Sequence, residues 1–466
     1  MLARLVHYFW PDLDEHEIKK FGILACIFFL IIGSYWLLRL LKNIVFYKIA
    51  FPVTLGCPED YGRLMQPIAK FWSPFVIIPL VFIYSKMVDW FEKHTLFYIL
   101  TSIYTALFAS ITTLLAMRHF WGDAFLGKSL LAAVGWISYF TIESFGSLIV
   151  ALFWSFTASI TTTDSAKKGY PLISTMAQFG ALVACIPTLG IEQLGGIWTL
   201  FLGATLSVAS TIFGMYYFMR TMPPQQLIGN RMAHATEKQK EGFFKGFITG
   251  ITLLVTRPYL IGVLIVSCFY EIITQIIEYQ MQSNACTHPA YGSEAGFAQF
   301  QGIYGICVNA LAFIMALLGT SYLIKRYGLR FCLLFFPTCL GIAFMSLYAF
   351  FKLGDPTAGQ LLWATFSVMI VAKGLGYAVN NPVKEIMYIP TSKDVKFKTK
   401  GWIDMFGGRT AKQAGAQITD AFKHKIPELM VFGTLVSMGL TAVWVIAAIY
   451  VGNKNKRLIA ENKIIE

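Results

Sequence analysis

Apolar residues run along this chain in blocks of about 20, divided by short polar stretches, and a block of that length crosses a hydrocarbon core of about 30 Å as a helix. Twelve blocks are read, at 21–42, 67–88, 96–117, 129–155, 170–190, 197–219, 259–281, 297–318, 329–351, 360–380, 401–421 and 428–451. The eleventh is the least apolar, because it holds Asp404, Arg409, Lys412, Gln413 and Asp420. Hydropathy alone would reject it and leave an odd number of spans. The distribution of positive charge argues for keeping it, since short cytoplasmic loops carry an excess of Lys and Arg. With twelve spans and an inner N-terminus, 25 Lys and Arg residues fall inside and 7 outside. The expectation is therefore twelve spans with both termini in the cytoplasm.

The longest connection, 220–257, is rich in Lys, Gln, Glu and Pro and follows the sixth block. It divides the chain into a cytoplasmic segment 1–20, a six-helix bundle 21–219, a cytoplasmic linker 220–257, a second six-helix bundle 258–451 and a cytoplasmic tail 452–466. This 6+6 plan predicts an all-α membrane protein of major-facilitator-like architecture, with two bundles rocking about a site near the midplane. No residue-level repeat between the halves is evident, so the symmetry rests on the count of blocks.

Composition excludes an ordinary soluble domain: of 466 residues 56% are hydrophobic and 14% charged, with a mean hydropathy of +0.60. Residues 1–20 are polar and acidic, without a secretory or transit signal, which favours a bacterial plasma membrane over an organelle. The net charge of +13 is explained by inner-loop Lys and Arg, so no nucleic acid partner is expected. The eight cysteines show no metal-ligand spacing and lie mostly in apolar blocks; Cys57 and Cys286, in outer loops, are the two that could pair. No metal or cofactor is expected.

One string is deceptive. Gly122 to Ser129 fits the phosphate-loop pattern GxxxxGK[ST]. That chemistry needs a strand feeding the loop and a helix aimed at the phosphates, whereas here a membrane helix precedes it. A turn at Gly122 and Gly127 is expected instead, with Lys128 at the interface, and the chain is not expected to be an enzyme.

The chemistry lies in the spans. Glu143, Glu278 and Lys412 sit within or at the edge of apolar blocks and Lys42 at the end of the first. A charge at the bilayer centre costs about 2.5–3.5 kcal/mol on insertion scales, so such residues face a wet cavity, a partner or a substrate.

Leu38-Arg39-Leu40-Leu41-Lys42, Glu143-Ser-Phe-Gly with Trp154-Ser-Phe156, the segment Tyr270–Glu278, Asn381-Pro-Val-Lys384-Glu385-Ile-Met-Tyr388-Ile-Pro390, and Lys398 through Gly415 together resemble the ATP/ADP translocases of plastids and obligate intracellular bacteria. The resemblance runs from about residue 7 to 450 and is most specific over 380–415. It implies a nucleotide transporter whose two lysines and two glutamates correspond to Lys42, Glu143, Glu278 and Lys412. The first motif of that family usually reads Leu-Arg-Asp-Thr-Lys-Asp; here Leu40, Leu41 and Asn43 replace the three residues other than Leu, Arg and Lys. The glutamate motif carries Ser144-Phe145 in place of Leu-Trp, and Glu271 adds a carboxylate to the seventh block.

A nucleoside triphosphate carries about four negative charges, and a site for it must offer partly desolvated cations. Arg39 and Arg409 are assigned to phosphate beside Lys42 and Lys412, because a guanidinium can fork onto two oxygens. The alternative for Arg39 is snorkelling or pairing with a glutamate. Glu143 and Glu278 are expected to pair with Lys412 and Lys42 in the empty site, or to bind a proton or a nucleobase donor. Lys384 and Glu385 are placed at an inner gate, and Lys393, Lys396, Lys398 and Lys400 in solvent or against anionic lipid. Exchange of nucleotides by a monomer is the expected mode. Proton-coupled uptake of GTP, UTP, ATP or NAD is the alternative, and a carrier for another organic anion stays open.

Overall fold

The computed structural model describes residues 13–223, 252–318, 320–392, 395, 399–461 and 463–465. Most of the expected linker, the first part of the N-terminal segment, and Lys393, Lys396 and Lys398 lie outside the described residues. Among the described residues the chain forms helices and turns and no strand, apart from an isolated bridge between Thr391 and Ile465. The helices are α1 (Glu15–Ile44), α2 (Tyr61–Trp90), α3 (Lys93–Trp121), α4 (Asp123–Ser159), α5 (Thr163–Cys185), α6 (Ile197–Thr221), α7 (Pro258–Thr287), α8 (Glu294–Leu318), α9 (Thr320–Leu353), α10 (Ala358–Leu375), α11 (Asn381–Met387), α12 (Gly408–Phe422) and α13 (Ile426–Ala460).

Each apolar block falls on one of these helices or on its continuation as a 3₁₀ or π turn. Eleven helices among the described residues are long and apolar enough to cross a membrane. The block 401–421 is the exception in composition and not in form. Lys400–Trp402, the π turn Ile403–Gly407 and α12 contribute 3, 5 and 15 residues, which at 1.5 Å each reach on the order of 34 Å. One face of α12 is small and buried, with Ala411, Gly415, Ala416 and Thr419. Arg409, Lys412, Gln413 and Asp420 run along one edge of that face and depress the hydropathy of the helix.

Local chemistry sets the helix ends. At α1 the Asp14 carboxylate accepts the Glu17 amide hydrogen at 2.7 Å, an N-cap bond. At α10 Thr357 and Gln360 form a capping box. Gly122, with φ 80°, separates α3 from α4 in a conformation that glycine adopts without a Cβ penalty.

The chain divides into two compact units. The first comprises Met1–Gly62, Phe75–Lys238 and Ser293–Phe313; the second comprises Arg63–Pro74, Gln239–Gly292 and Ile314–Glu466. Within the first, α1 packs most extensively on α5, and also on α6 and α4. The α1–α5 crossing is close because Gly180 lies against the backbone oxygen of Phe29 and Gly33 against Gly180, the small-residue contact that lets membrane helices approach. Within the second, α7 packs on α13, α12 and α10. Gln280 on α7 is fully buried and donates to the Leu429 carbonyl on α13 at 2.9 Å, satisfying a polar group where no water reaches it.

Candidate functional site

The intramembrane charges gather in two lysine-centred clusters, one in each unit. In the first unit Lys42 lies in the last turn of α1 with its side chain 5% exposed. Its Nζ is 2.5 Å from Glu143 Oε1 on α4 and 4.5 Å from the centroid of the Tyr139 ring. Tyr139 and Glu143 are four residues apart and so share a face of α4, presenting a carboxylate and a π surface to one ammonium. Arg39 is three residues before Lys42 on the same face of α1, and its guanidinium stacks 5.0 Å from the Trp36 ring. A Cβ on Gly146 would collide with the Tyr35 ring, so glycine there lets α4 lie close against that α1 side chain.

The second unit holds a larger cluster. Helix α7 supplies Tyr270, Glu271 and Glu278, the two carboxylates being seven residues, or two turns, apart on one face. Lys412 of α12 approaches Glu271 Oε2 at 3.4 Å, and Lys373 of α10 approaches Glu278 Oε2 at 3.9 Å. Lys384 of α11 donates to the Ser267 carbonyl at 3.4 Å. Two ammoniums lie over the Tyr270 ring, Lys373 Nζ at 5.8 Å and Lys384 Nζ at 5.3 Å from its centroid.

Glycines set both approaches. Gly376 lies against the Tyr270 hydroxyl, leaving no room for a Cβ. A Cβ on Gly415 would stand 2.9 Å from the Ile272 carbonyl oxygen, so α12 can rest on α7 and bring Lys412 to Glu271.

Backbone irregularity marks the same places. A π turn follows Lys42 at Val45–Ile49, another follows Lys373 at Gly376–Asn380, and a third precedes Arg409 and Lys412 at Ile403–Gly407. Such turns re-aim side chains by inserting a residue into the helix, and they recur at functional positions.

Lys42, Glu143 and Arg39 thus lie together in the first unit, and Glu278, Lys412 and Arg409 belong to the second. The close ion pairs run within units: Lys42 with Glu143, Lys412 with Glu271, and Lys373 with Glu278. Lys384 and Glu385, adjacent in sequence, diverge. Lys384 turns toward α7, while Glu385 is exposed and receives Lys400 at 2.6 Å. Lys400 therefore has a protein partner where a solvent or lipid contact was expected. Lys373 was missed by sequence reasoning, although the signal that selects Lys412, a lone lysine in an apolar block, was present in 360–380.

The phosphate-loop string is a joint between helices. Gly122 and Gly127 have φ of 80° and 74°, and among the described residues no strand precedes them. Arg118 binds Asp123 at 2.6 Å, Thr54 donates to Asp123 at 2.9 Å, and Lys128 reaches only the Gly56 carbonyl at 3.5 Å. Cys57 and Cys286 are both buried, and neither forms a disulfide.

Solved structures of similar fold are transporters. A mutant of the nucleoside transporter NupG superposes with a TM-score of 0.61 at 14% identity, covering 93% of this chain and 99% of that one. A D-xylose-proton symporter gives 0.61 at 13%, covering 93% and 97%. These likenesses establish a major-facilitator-like fold. By sequence the chain is 24% identical over 496 residues to "ADP,ATP carrier protein 2, chloroplastic" of Arabidopsis thaliana, covering 96% of this chain and 76% of that one. It is 26% identical over 463 residues to "ADP,ATP carrier protein 1" of Rickettsia typhi, covering 90% and 89%. A relative of the same name in Chlamydia pneumoniae is 23% identical over 520 residues, covering 100% and 96%. The family model of the TLC ATP/ADP transporter matches residues 1–120 and 136–454, leaving out the whole of the phosphate-loop string. With lysine–glutamate pairs inside a bundle of membrane helices and a family match over nearly its whole length, this multi-pass membrane protein belongs to the TLC ATP/ADP transporter family.

Proposed function

We propose that the protein carries nucleotides of the ATP/ADP type across a membrane by alternating access, exchanging one nucleotide for another. The observation that carries this is the pair of lysine clusters. Lys42 with Arg39, and Lys412 with Lys373 and Lys384, are cations inside a membrane protein, each lysine placed by helix packing and each expensive to keep there without a task. Phosphate oxygens are their natural ligands, with Arg39 and Arg409 supplying forked donors. The tyrosines and Trp36 beside these cations offer faces for a base.

The proposal extends to setting and partners. The chain resides in a bacterial plasma membrane as a monomer with both termini in the cytoplasm, contacts anionic lipid through its inner loops, and has no nucleic acid partner. It hydrolyses nothing, since its phosphate-loop string joins two helices and lacks a strand. Lys384 and Glu385 serve an inner gate in which the exposed Glu385–Lys400 pair is the element that opens.

Uptake of labelled ATP into proteoliposomes, competed with unlabelled nucleotides, NAD, nucleosides and unrelated organic anions, tests the substrate class. Strong competition by ATP and ADP and none by adenosine is expected. Equal competition by non-nucleotide dicarboxylates would assign the chain another cargo.

A further inference from the structure

An exchanger is obligatory when its unloaded form cannot reorient. Cations exposed in an empty cavity must cross a low-dielectric barrier without their counter-anions, and only cargo removes that penalty. This chain supplies counter-anions of its own. Lys42 faces Glu143 in the first unit, and Lys373 and Lys412 face Glu278 and Glu271 in the second.

The three pairs differ in accessibility. Lys42 and Lys373 have side chains 5% and 8% exposed, whereas Lys412 is 44% exposed. Lys412 is thus the lysine of the three that a phosphate can reach without prior rearrangement, and Glu271 is the carboxylate such a phosphate must displace. Displacement leaves the carboxylate among other cations, because Lys384 donates to the Ser267 carbonyl one turn before Glu271, and Lys373 and Lys384 both lie over the ring of its neighbour Tyr270. It can lean toward them while Lys412 turns to cargo, and return when cargo leaves. Glu271 shares its face of α7 with Glu278, two turns away, so the swap needs a side-chain rotation and no movement of the helix.

We propose that Glu271 is a built-in counter-anion that takes the place of substrate phosphate on Lys412 in the unloaded protein, so that the empty carrier reorients and the protein performs net nucleotide uptake as well as exchange. This role rests on nucleotide being the cargo. It predicts a competition inside the site: removing the carboxylate tightens nucleotide binding and slows the empty return step.

The test compares initial uptake of labelled ATP by the purified full-length protein in vesicles preloaded with unlabelled ADP and in vesicles holding no nucleotide, with the membrane potential clamped by potassium and valinomycin. For the unaltered protein, net uptake of at least about a tenth of the exchange rate is expected; a smaller fraction overturns the proposal. In Glu271→Gln the ratio of net uptake to exchange should fall at least tenfold and the exchange KM should decrease, with Glu271→Asp recovering part of the ratio. Continued exchange by Glu271→Gln shows that it is folded, and an unchanged ratio then refutes the role. Should Glu271→Gln not fold, the ratio in the unaltered protein and in Glu271→Asp decides the matter. Failure of the unaltered protein to take up any labelled nucleotide in either vesicle would instead overturn nucleotide as cargo, and the counter-anion role with it.

Discussion

Neutralising Lys42 separates a substrate-binding cation from a purely structural one. Lys42→Gln leaves Glu143 beside a neutral amide in a site where the lysine was 5% and the glutamate 22% exposed. Two unit charges 2.5 Å apart attract by about 7 kcal/mol at an effective dielectric of 20. Much of that is offset by the desolvation both groups undergo, and breaking a buried pair from one side costs about 3–5 kcal/mol. Glu143 has one escape, taking up a proton, which at neutral pH costs an ordinary glutamate about 3–4 kcal/mol. The single variant should therefore lose roughly 3–4 kcal/mol of stability. Removing both charges in Lys42→Gln/Glu143→Gln should restore all but about 1 kcal/mol, since two amides of matching shape can bond to each other.

Transport should not recover. One charge-assisted bond to phosphate, worth about 1.5–3 kcal/mol, corresponds to a 10- to 150-fold loss in kcat/KM, using roughly 1.4 kcal/mol per factor of ten. The assay pairs apparent melting temperature in detergent with nucleotide exchange in vesicles for both singles and the double. A double variant as stable and as active as the unaltered protein would show that Lys42 and Glu143 only hold α1 against α4.

Three further outcomes are expected. Tyr259 donates to the Met387 carbonyl at 2.7 Å and accepts from Asn455 Nδ2 at 2.8 Å. Tyr259→Phe should accordingly cost about 1–3 kcal/mol by orphaning a buried amide, seen as a lower melting temperature; an unchanged one would contradict the bond pattern. Gly62 lies against the carbonyl oxygens of Phe46 and Tyr47, so Gly62→Ala should strain the π turn after Lys42, destabilise by about 1–3 kcal/mol and depress exchange. Lys128→Ala should exchange within about twofold of the unaltered protein and, like it, release no phosphate from ATP, because a phosphate-loop lysine acts only where a strand and helix present it. A loss of tenfold or more would revive that loop as a working site.

Much of the fold was legible because lipid imposes a simple rule on sequence. Eleven blocks passed on apolar length alone, and the block 401–421 was retained from the charge of the loops even though α12 presents Arg409, Lys412 and Gln413 on one face. Lys42, Glu143, Glu278 and Lys412 were legible for the same reason: an ionisable residue stands out against an apolar background. Their partners were not. Helical periodicity places Glu271 and Glu278 on one face of α7, but which helix meets that face depends on close approaches such as Gly415 on Ile272 and Gly376 on Tyr270. These join residues more than a hundred positions apart. Lys373 escaped because it lies outside the motifs that carry the family resemblance, and its contacts with Glu278 and Tyr270 are what give it a context. The π turns beside the lysines left no mark in the sequence, since they arise from packing and not from propensity. The phosphate-loop string shows the converse: the pattern is present, yet positive φ at Gly122 and Gly127 turns it into a hinge between helices.

Nucleotide exchange itself is tested most directly by efflux. Vesicles containing the purified protein are loaded with labelled ADP, and the rate of label release is followed before and after ATP is added outside. Acceleration of at least twofold by external ATP, with none from adenosine, is the expected result; release that continues at the same rate whatever is added outside would contradict exchange.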